Sequence, residues 1–303
     1  MHIMQNFKLI TPEHWKDYEL IDSGNFEKLE RFGHFTLCRP EPQAIWNKSL
    51  SPTEWEKRID AKFIIDIKNS NGEKGKWIKK KNMPEEWSIK YKHKDLGLTF
   101  KLKFNTFKHI GIFPEQADNW NFIFDNISQN FEEDYNVLNL FAYTGGASLA
   151  AKAAGAKVYH VDSVKQVINW ANENMKLSGL DNIHWIVEDA LKFVQREVRR
   201  NNKYNGIILD PPAFGRGPEG EKWLLEKNLN EIIELCSKIL KNNNSFLILN
   251  LYSLGFSALI SENIIKTFFP NSNTELGELY LNDSFNKKLP LGTFIRFYQK
   301  QNF

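Results

Sequence analysis

Residues 137–146, VLNLFAYTGG, constrain the fold of this chain more than any other stretch. Five of the first seven residues are apolar, which predicts a buried strand. The run then reaches Thr144-Gly145-Gly146, and the sequence ASLAA after it predicts the start of a helix. Glycine accepts positive φ values and leaves the backbone open to a ligand, and the first N–H groups of a helix attract anionic groups. A strand, turn and helix in this order predict the first unit of an open α/β sheet, with a ligand at the turn.

The composition is typical of a globular protein and excludes several other classes. Of the 303 residues, 42% are hydrophobic and 25% are charged, and no apolar run reaches the roughly 18 residues that span a membrane. The first ten residues lack the pattern of a secretory signal. The two cysteines, Cys38 and Cys236, predict neither a disulfide framework nor a cysteine-rich zinc site. We therefore expect a cytoplasmic protein with no metal and no membrane partner.

Strand and helix patterns alternate within residues 109–303, which predicts an α/β domain with a parallel sheet. The expected strands lie at 137–143, 157–162, 183–188, 205–210 and 245–251. The expected helices between them lie near 147–154, 164–178, 190–201 and 221–241. After a further helix near 257–268, strand patterns at 274–281 and 293–299 predict an antiparallel hairpin at one edge of the sheet.

Residues 1–108 show short alternating strands, with a hairpin turn expected at 69–72, and predict a smaller, strand-rich α+β domain. Between residues 74 and 108 there are eleven lysines and three acidic residues. Aromatic residues are interleaved with these lysines, among them Trp77, Trp87, Tyr91 and Phe107. A basic sheet that carries aromatic rings suits the backbone and bases of a nucleic acid. The alternative is an ordinary sheet with lysines on its solvated face and the rings inside.

Acidic residues follow three consecutive strands of the predicted α/β domain. Asp162 lies 17 residues after Gly145, where a carboxylate can accept hydrogen bonds from both ribose hydroxyls of a nucleoside cofactor. Glu188 and Asp189 follow the next strand, where a carboxylate can accept a hydrogen bond from the exocyclic amine of adenine. Asp210 follows the strand after that. Each aspartate alone is equally compatible with a helix cap, but three acids behind a glycine turn predict a nucleoside pocket.

The most specific motif is DPPAF, at residues 210–214. Two prolines fix φ and remove two N–H donors, so the Asp210 carboxylate and the neighbouring carbonyl groups are held rigidly at the end of a strand. Such a group of acceptors can hold the amine of a planar substrate, and the ring of Phe214 can stack on that substrate. The alternative is a purely structural turn.

These segments resemble the class I S-adenosylmethionine-dependent methyltransferases, and most closely the bacterial family that includes the 23S ribosomal-RNA cytosine-5 methyltransferases. The resemblance is carried by NLFAYTGG, VDSVKQVINWANEN, EDALKFV and DPPAF, together with GIFPEQ at 111–116 and LERFGHFTLCRPEPQAIW at 29–46. It implies a Rossmann-like sheet with antiparallel C-terminal edge strands, preceded by the smaller α+β domain. It also implies S-adenosylmethionine as the cofactor, S-adenosylhomocysteine as the product and ribosomal RNA as the partner.

The resemblance further assigns roles to individual residues. The backbone from Ala142 through Tyr143, Thr144 and Gly145 to Gly146 would hold the methionine part of the cofactor. Asp162, followed by Ser163, would bind ribose, and Asp189, between Glu188 and Ala190, would bind adenine. The methyl acceptor would lie beside Asp210, Pro211, Pro212 and Phe214. Asp210 would also border the cofactor.

One departure from that family changes the expected chemistry. Its cytosine-5 members carry a nucleophilic cysteine just after the fifth core strand, and residues 250–255 of this chain read NLYSLG. Methylation at carbon 5 requires a thiolate that adds to the ring. We therefore expect methylation of a nitrogen or oxygen, where the lone pair of the acceptor attacks the sulfonium methyl in line and positioning supplies much of the rate.

Two other functions fit parts of this sequence. A non-catalytic RNA-binding or ribosome-assembly protein that keeps a relic cofactor pocket would also lack the cysteine. A nicotinamide-dependent oxidoreductase would fit the glycine turn and the spacing to Asp162, but the first turn lacks G-x-G-x-x-G and DPPAF has no evident role in hydride transfer. The sequence does not predict an oligomeric state or the acceptor atom.

Overall fold

The chain forms two compact units in a computed structural model that describes residues 7–13, 15–66, 74–130, 132–252 and 255–300. The large unit contains Met1–Ile10, Gln116–Leu279 and Gly292–Phe303, and the small unit contains Thr11–Glu115 and Tyr280–Leu291. The division after residue 115 lies near the boundary expected after residue 108. The sequence predicted two continuous domains, whereas both units are discontinuous, because strand pairing draws in segments that are distant in the chain.

Strand β1 (Phe7–Ile10) belongs to the large unit, and a series of short strands in the small unit follows it. These are β2 (Tyr18–Gly24), β3 (Glu27–Phe32), β4 (Phe35–Pro40), β5 (Ala61–Ile65), β6 (Gly75–Lys79), β7 (Glu86–His93) and β8 (Leu96–Lys103), with helix α1 (Pro52–Arg58) between β4 and β5. Strands β2 to β6 form one sheet in chain order, and β7 pairs with β8. The predicted strand-rich α+β architecture is confirmed, while the hairpin turn expected at 69–72 lies outside the described residues.

The sequence shows why α1 begins where it does. Ser51 caps the helix by accepting a hydrogen bond from the Glu54 N–H, and the Glu54 carboxylate accepts one from the Ser51 N–H, which makes a capping box. Pro52 occupies the first turn, where no N–H is needed. The helix buries Trp55 against Leu29 and Cys38, so one aromatic side chain fixes α1 to the sheet.

Most aromatic residues of the lysine-rich segment pack against other residues of the small unit. The Trp77 ring lies 4.7 Å from that of Phe104, and Trp87 donates its indole N–H to the Phe32 carbonyl at 3.1 Å. Tyr91 is buried, and Phe107 is exposed. Of the four rings proposed for base stacking, one is therefore buried and the two tryptophans are half-buried against neighbouring groups, which favours the alternative that the sequence left open. The exposed lysines of the segment are Lys74, Lys76, Lys80, Lys81, Lys90, Lys92 and Lys94.

Strands and helices alternate in the large unit. Its elements are a short 3-10 turn (Pro114–Gln116) that leads into it, α2 (Ala117–Gln129), β9 (Asn136–Leu140), α3 (Gly146–Ala153), β10 (Lys157–Asp162), α4 (Lys165–Leu177), β11 (Ile183–Val187), α5 (Ala190–Arg199), β12 (Gly206–Leu209), β13 (Phe214–Arg216), β14 (Lys222–Leu224), α6 (Leu225–Ile239), β15 (Ser245–Leu251), α7 (Ala258–Phe268), β16 (Thr274–Asn282) and β17 (Lys288–Gln299).

The main sheet has the strand order β1-β16-β17-β15-β12-β9-β10-β11. Strands β15, β12, β9, β10 and β11 run parallel, and β17 runs antiparallel to β15. This is the predicted fold class with one difference, because β1 pairs with β16 and covers the hairpin that was expected at the edge. Gly277 permits that pairing, since a Cβ there would lie 1.7 Å from the Lys8 carbonyl oxygen.

The core of the large unit lies between the sheet and its helices. Cys236 lies there on the apolar face of α6, with Ile232 and Ile239, as the helical periodicity predicts. Helix α6 begins at Leu225, later than expected, because the preceding residues form β14 and pair with β13 in a hairpin that the sequence analysis missed. Among the described residues, no helix is both long and apolar enough to cross a membrane.

Candidate active site

Four neighbouring strands end at the same level of the sheet. Leu140 at the end of β9 pairs with Val161 of β10 and with Leu209 of β12. Asp162, the last residue of β10, pairs with Val187 of β11. The three acids predicted to converge, at 162, 189 and 210, therefore all leave the sheet along one edge. The strand order reverses between β9 and β12, and ligands of open α/β sheets bind at such a switch point.

The loop after β9 has an unusual backbone. Phe141, Tyr143 and Gly145 have φ values of 56°, 48° and 93°, a left-handed conformation that is costly for side chains as large as phenylalanine and tyrosine. Asn174 of α4 holds the loop by donating from Nδ2 to the Thr144 carbonyl at 3.0 Å. Strained backbone of this kind persists where the surrounding contacts enforce it, commonly at functional sites.

The two glycines of the loop serve different purposes. Gly145 precedes α3 as its N-cap and provides no side chain to cap the first turn, so the N–H groups of that turn face the space beyond the loop. Gly146 permits close packing, because a Cβ there would lie 2.6 Å from Cζ2 of Trp120 on α2. Gly145 thus suits a ligand and Gly146 suits helix packing.

A buried polar layer supports the same loop. Asn139 donates to the Ser148 hydroxyl at 2.9 Å, and that hydroxyl lies 3.0 Å from Nδ1 of His160. Burial lowers the pKa of His160 to about 3, so its ring is neutral in the folded protein. These three residues are not evident as a group in the sequence, because an isolated polar residue in an apolar strand gives no sign of its partner.

Asp162 joins the ends of β9 and β10. Its Oδ2 accepts a hydrogen bond from the Tyr143 N–H and its Oδ1 one from the Val164 N–H, both at 2.9 Å. Burial raises the pKa of the carboxyl, and the backbone hydrogen bonds, including one from Ser163, lower it in part. Each carboxylate oxygen has a second lone pair, so both oxygens can still accept the hydroxyls of a ribose.

The acids after β11 have partners within the protein. Asp189 is the N-cap of α5 and accepts a hydrogen bond from the Lys192 N–H at 2.9 Å, and Ala190 is the first residue of that helix and is buried. The Glu188 carboxylate forms an ion pair with Arg196. Capping and ligand binding are compatible for Asp189, because the cap uses one of about four acceptor positions.

The DPPAF motif follows β12 and is fixed by Trp223. Trp223 of β14 donates its indole N–H to the Pro212 carbonyl at 2.7 Å, and its ring centroid lies 4.7 Å from that of Phe141 in the loop after β9. Pro211 is buried, Pro212 is exposed, and the Phe214 side chain is 54% exposed. One buried tryptophan therefore contacts both the predicted acceptor motif and the predicted cofactor loop. Only the turn-forming sequence GPEG could have indicated the hairpin that carries it.

A hydrogen-bonded network lies where the resemblance places a nucleophilic cysteine. Gln116 donates from its amide to the Tyr252 hydroxyl and accepts hydrogen bonds from Asn119 and Asn250. Arg296 donates to the Asn119 amide oxygen at 3.1 Å. The donors of this network therefore run in one direction. Arg296 donates to Asn119, Asn119 donates to Gln116, and Gln116 donates to Tyr252.

The two thiols of the chain are buried and held in the neutral form. Burial raises the pKa of Cys38 to about 12 and raises that of Cys236 as well. Neither side chain exposes its sulfur, and a thiolate is the form that attacks. Neither cysteine has the properties of a nucleophile.

Comparison with known proteins places the chain in a family. The sequence model of a family described as S-adenosylmethionine-dependent methyltransferase matches residues 44–264, well over half of the chain. The chain belongs to this family. A SAM-dependent methyltransferase from Agrobacterium tumefaciens is 36% identical to it, with a TM-score of 0.88, and the match covers 97% of this chain and 94% of that one. Membership confirms the expected family and, with it, S-adenosylmethionine as the cofactor.

Curated relatives match a smaller part of the chain. The ribosomal RNA large subunit methyltransferase K/L of Shewanella frigidimarina is 31% identical over 170 residues, which are 55% of this chain and 23% of that protein. The ribosomal RNA large subunit methyltransferase I of Aeromonas hydrophila is 34% identical over 107 residues, 34% of this chain and 26% of the relative. The chain thus spans about a quarter of the length of these family relatives.

The residues present fit S-adenosylmethionine. A nucleoside with a charged amino-acid tail requires a carboxylate for its ribose diol, an acceptor for the adenine amine and N–H donors for its own carboxylate. Asp162, Asp189 and the first turn of α3 provide these groups along one edge of the sheet.

Proposed function

We propose that this protein transfers a methyl group from S-adenosylmethionine to a nitrogen or oxygen atom of RNA, with ribosomal RNA as the expected substrate. The observation that carries the proposal is the link made by Trp223, which contacts Phe141 of the cofactor loop and holds Pro212 of the acceptor motif. Methyl transfer needs donor and acceptor held in line at contact distance. A rigid connection between the two sites meets that requirement.

On this proposal, residues at different strand ends bind different parts of the cofactor. Asp162 accepts the ribose hydroxyls, Asp189 accepts from adenine, and the N–H groups at the start of α3 bind the carboxylate of the cofactor. When bound, S-adenosylmethionine supplies an electrophilic methyl group on a positively charged sulfur. The backbone of residues 142–146 lines the space for its amino-acid part.

The acceptor would bind at residues 210–214. Asp210 accepts a hydrogen bond from an N–H or O–H of the acceptor nucleotide, which directs the lone pair of the reacting atom toward the methyl group. Pro211 and Pro212 keep this carboxylate rigid. Phe214, with an exposed ring, stacks on the acceptor base.

RNA is favoured as the substrate by two observations. The curated relatives named above are ribosomal RNA large subunit methyltransferases. The small unit exposes lysines at 74, 76, 80, 81, 90, 92 and 94, and such a surface attracts a phosphate backbone. Of the four rings proposed for stacking, Tyr91 is buried and Trp77 and Trp87 are half-buried, so on this proposal the lysines contribute charge and the stacking occurs elsewhere.

Methylation of nitrogen or oxygen is favoured over carbon-5 methylation by the state of the two thiols. Both are buried, and burial raises the pKa of each. The described position nearest the expected cysteine carries Tyr252, which accepts a hydrogen bond from Gln116. A phenol cannot replace a thiolate in adding to a pyrimidine ring.

The test is methyl transfer to RNA from cells that lack the gene. Ribosomal RNA from the deletion strain is incubated with purified protein and methyl-labelled S-adenosylmethionine, and modified nucleotides are mapped by mass spectrometry. We expect one modification that is absent from the deletion RNA and is restored by the protein. Binding of S-adenosylhomocysteine without any methyl incorporation would favour a relic pocket instead.

The variant Asp210→Ala separates binding from catalysis. We expect it to abolish methyl transfer while the affinity for S-adenosylhomocysteine, measured by calorimetry, changes little, because this carboxylate acts on the acceptor. Turnover retained on the RNA substrate would contradict the role of Asp210.

A further inference from the structure

The β13–β14 hairpin has two different faces. Its register pairs Phe214 with Leu224, Gly215 with Trp223, and Arg216 with Lys222. Side chains alternate between the two faces of a strand, so Trp223 points inward, where it is 3% exposed, and the pair of cations shares the outer face with Phe214. The inner face fixes the hairpin to the DPPAF motif, and the outer face meets solvent.

Two cations lie directly opposite each other on the outer face. Like charges in directly opposed positions of an antiparallel pair destabilise it, yet Arg216 and Lys222 are both exposed there. Within the described part of the chain, neither cation forms an ion pair with a carboxylate. The acids nearest in sequence, Glu219 and Glu221, are instead ion-paired with Lys192 of α5. The hairpin thus carries two adjacent positive charges, and its own acidic residues pair with a lysine of α5 instead.

An exposed aromatic ring completes this face. Phe214 lies two residues before Arg216 on the same side of β13, about 7 Å away along the strand. An aromatic ring beside paired cations matches the two parts of a nucleotide, because any base can stack on the ring and the phosphate is attracted to the charges. An acidic peptide would match the cations and leave the ring without a partner.

We propose that Arg216 and Lys222 form a phosphate clamp for single-stranded RNA, holding a phosphate group beside the nucleotide that stacks on Phe214. This inference rests on the proposed function and extends it by naming the residues that position the RNA strand. The hydrogen bond from Trp223 to Pro212 fixes the distance between the clamp and Asp210. The clamp therefore selects which nucleotide along the strand reaches the methyl donor.

The test compares two double variants of equal charge. Arg216→Gln with Lys222→Gln removes the clamp. Lys176→Gln with Arg199→Gln removes two exposed cations from the C-terminal turns of α4 and α5, which lie at the opposite edge of the sheet. Binding of a fluorescent single-stranded RNA is measured by anisotropy over a series of KCl concentrations, and binding of S-adenosylhomocysteine is measured by calorimetry for each protein.

The salt dependence of RNA binding measures how many phosphates each protein contacts. Each phosphate contact to a single strand contributes about 0.7 to the slope of log K against log salt. Because the clamp holds one phosphate, we expect the clamp variant to lose about 0.7 from that slope and the control variant to keep the wild-type slope, with the affinity for S-adenosylhomocysteine unchanged in both. A clamp variant with the wild-type slope would overturn the inference.

Two further outcomes separate this inference from the proposed function. If the wild type methylates RNA and the clamp variant binds that RNA with an unchanged slope, the clamp is wrong and the function stands. If the wild type binds S-adenosylhomocysteine but no RNA, both fail. Polyglutamate that competes as strongly as RNA of equal charge would identify the hairpin as a site for acidic protein and would overturn the clamp.

Discussion

Asp162→Ala removes a carboxylate that has two tasks in the structure. Its oxygens accept hydrogen bonds from the N–H groups of Tyr143 and Val164, each at 2.9 Å, and on the account above they also accept both hydroxyls of the cofactor ribose. The substitution therefore loosens the cofactor loop and deletes direct contacts with the ligand. Both effects weaken cofactor binding, and the first also lowers the free energy of unfolding.

The magnitudes follow from the bonds that are lost. Hydrogen bonds to a charged group contribute about 1.5–3 kcal/mol, so the dissociation constant for S-adenosylhomocysteine should rise about 10- to 150-fold. A buried N–H left without an acceptor costs about 1–3 kcal/mol, and water that enters the empty site reduces that cost. We expect the free energy of unfolding to fall by about 1–2 kcal/mol.

Calorimetry with S-adenosylhomocysteine and urea unfolding followed by circular dichroism measure the two effects. Asp181→Ala is the matched control, because it removes an exposed aspartate from the loop that leads into β11, at the opposite edge of the sheet. The control should behave as the wild type in both assays. A folded Asp162→Ala protein whose dissociation constant lies within twofold of the wild type would refute the assignment of Asp162 to the ribose.

Three other predictions test other parts of the structure. Trp223→Phe keeps a ring beside Phe141 but removes the donor to Pro212, so we expect kcat to fall about tenfold or more with KM for S-adenosylmethionine nearly unchanged; an unchanged kcat would contradict the positioning role. Burial raises the pKa of Glu115 to about 7, so its contribution to stability is fully present below pH about 4.5 and is lost as the pH rises through about 7. Between pH 5.5 and pH 8.5 the urea midpoint should therefore fall less in Glu115→Gln than in the wild type, by an amount equivalent to about 2 kcal/mol, and equal pH dependence of the two proteins would contradict the shift. The double variant Cys38→Ala, Cys236→Ala should transfer methyl groups at a rate within about threefold of the wild type. A folded variant with no methyl transfer would show that a cysteine takes part in the reaction.

The parallel core of the large unit was predictable because each strand is an apolar run that ends at a turn or an acid. Strand β10 occupies residues 157–162 as expected, and β15 occupies 245–251. Strand β9 ends at Leu140, earlier than the expected 143, because Phe141 turns into the left-handed region. The apolar pattern does not show that change, since Phe141, Ala142 and Tyr143 would also suit a strand.

Pairings between distant segments could not be predicted from local patterns. Strand β1 has four residues and joins the large sheet only through a partner some 270 positions away. Trp223 reaches Pro212 because a short hairpin replaces the first turn of the expected helix. In both cases the local sequence is compatible with several structures, and tertiary packing decides among them.

The lysine-rich strands show a related limit. Alternation predicts that lysines and aromatic residues lie on opposite faces, and it does not say which face is covered. In the structure the Trp77 and Trp87 rings pack against Phe104, so the covered face is the aromatic one. For the acidic residues, strand order alone predicts that the ends of β10, β11 and β12 lie at one edge of the sheet. The backbone N–H groups that donate to Asp162 and Asp189 are known only from the structure.

The central claim is that the strand ends around β9 hold S-adenosylmethionine, and a crystal structure of the complex with S-adenosylhomocysteine tests it most directly. We predict that the ribose hydroxyls lie within hydrogen-bond distance of Asp162, the adenine beside Asp189, and the homocysteine carboxylate at the N–H groups that begin α3. Density for the ligand elsewhere in the chain, or a ribose with no contact to Asp162, would contradict the account.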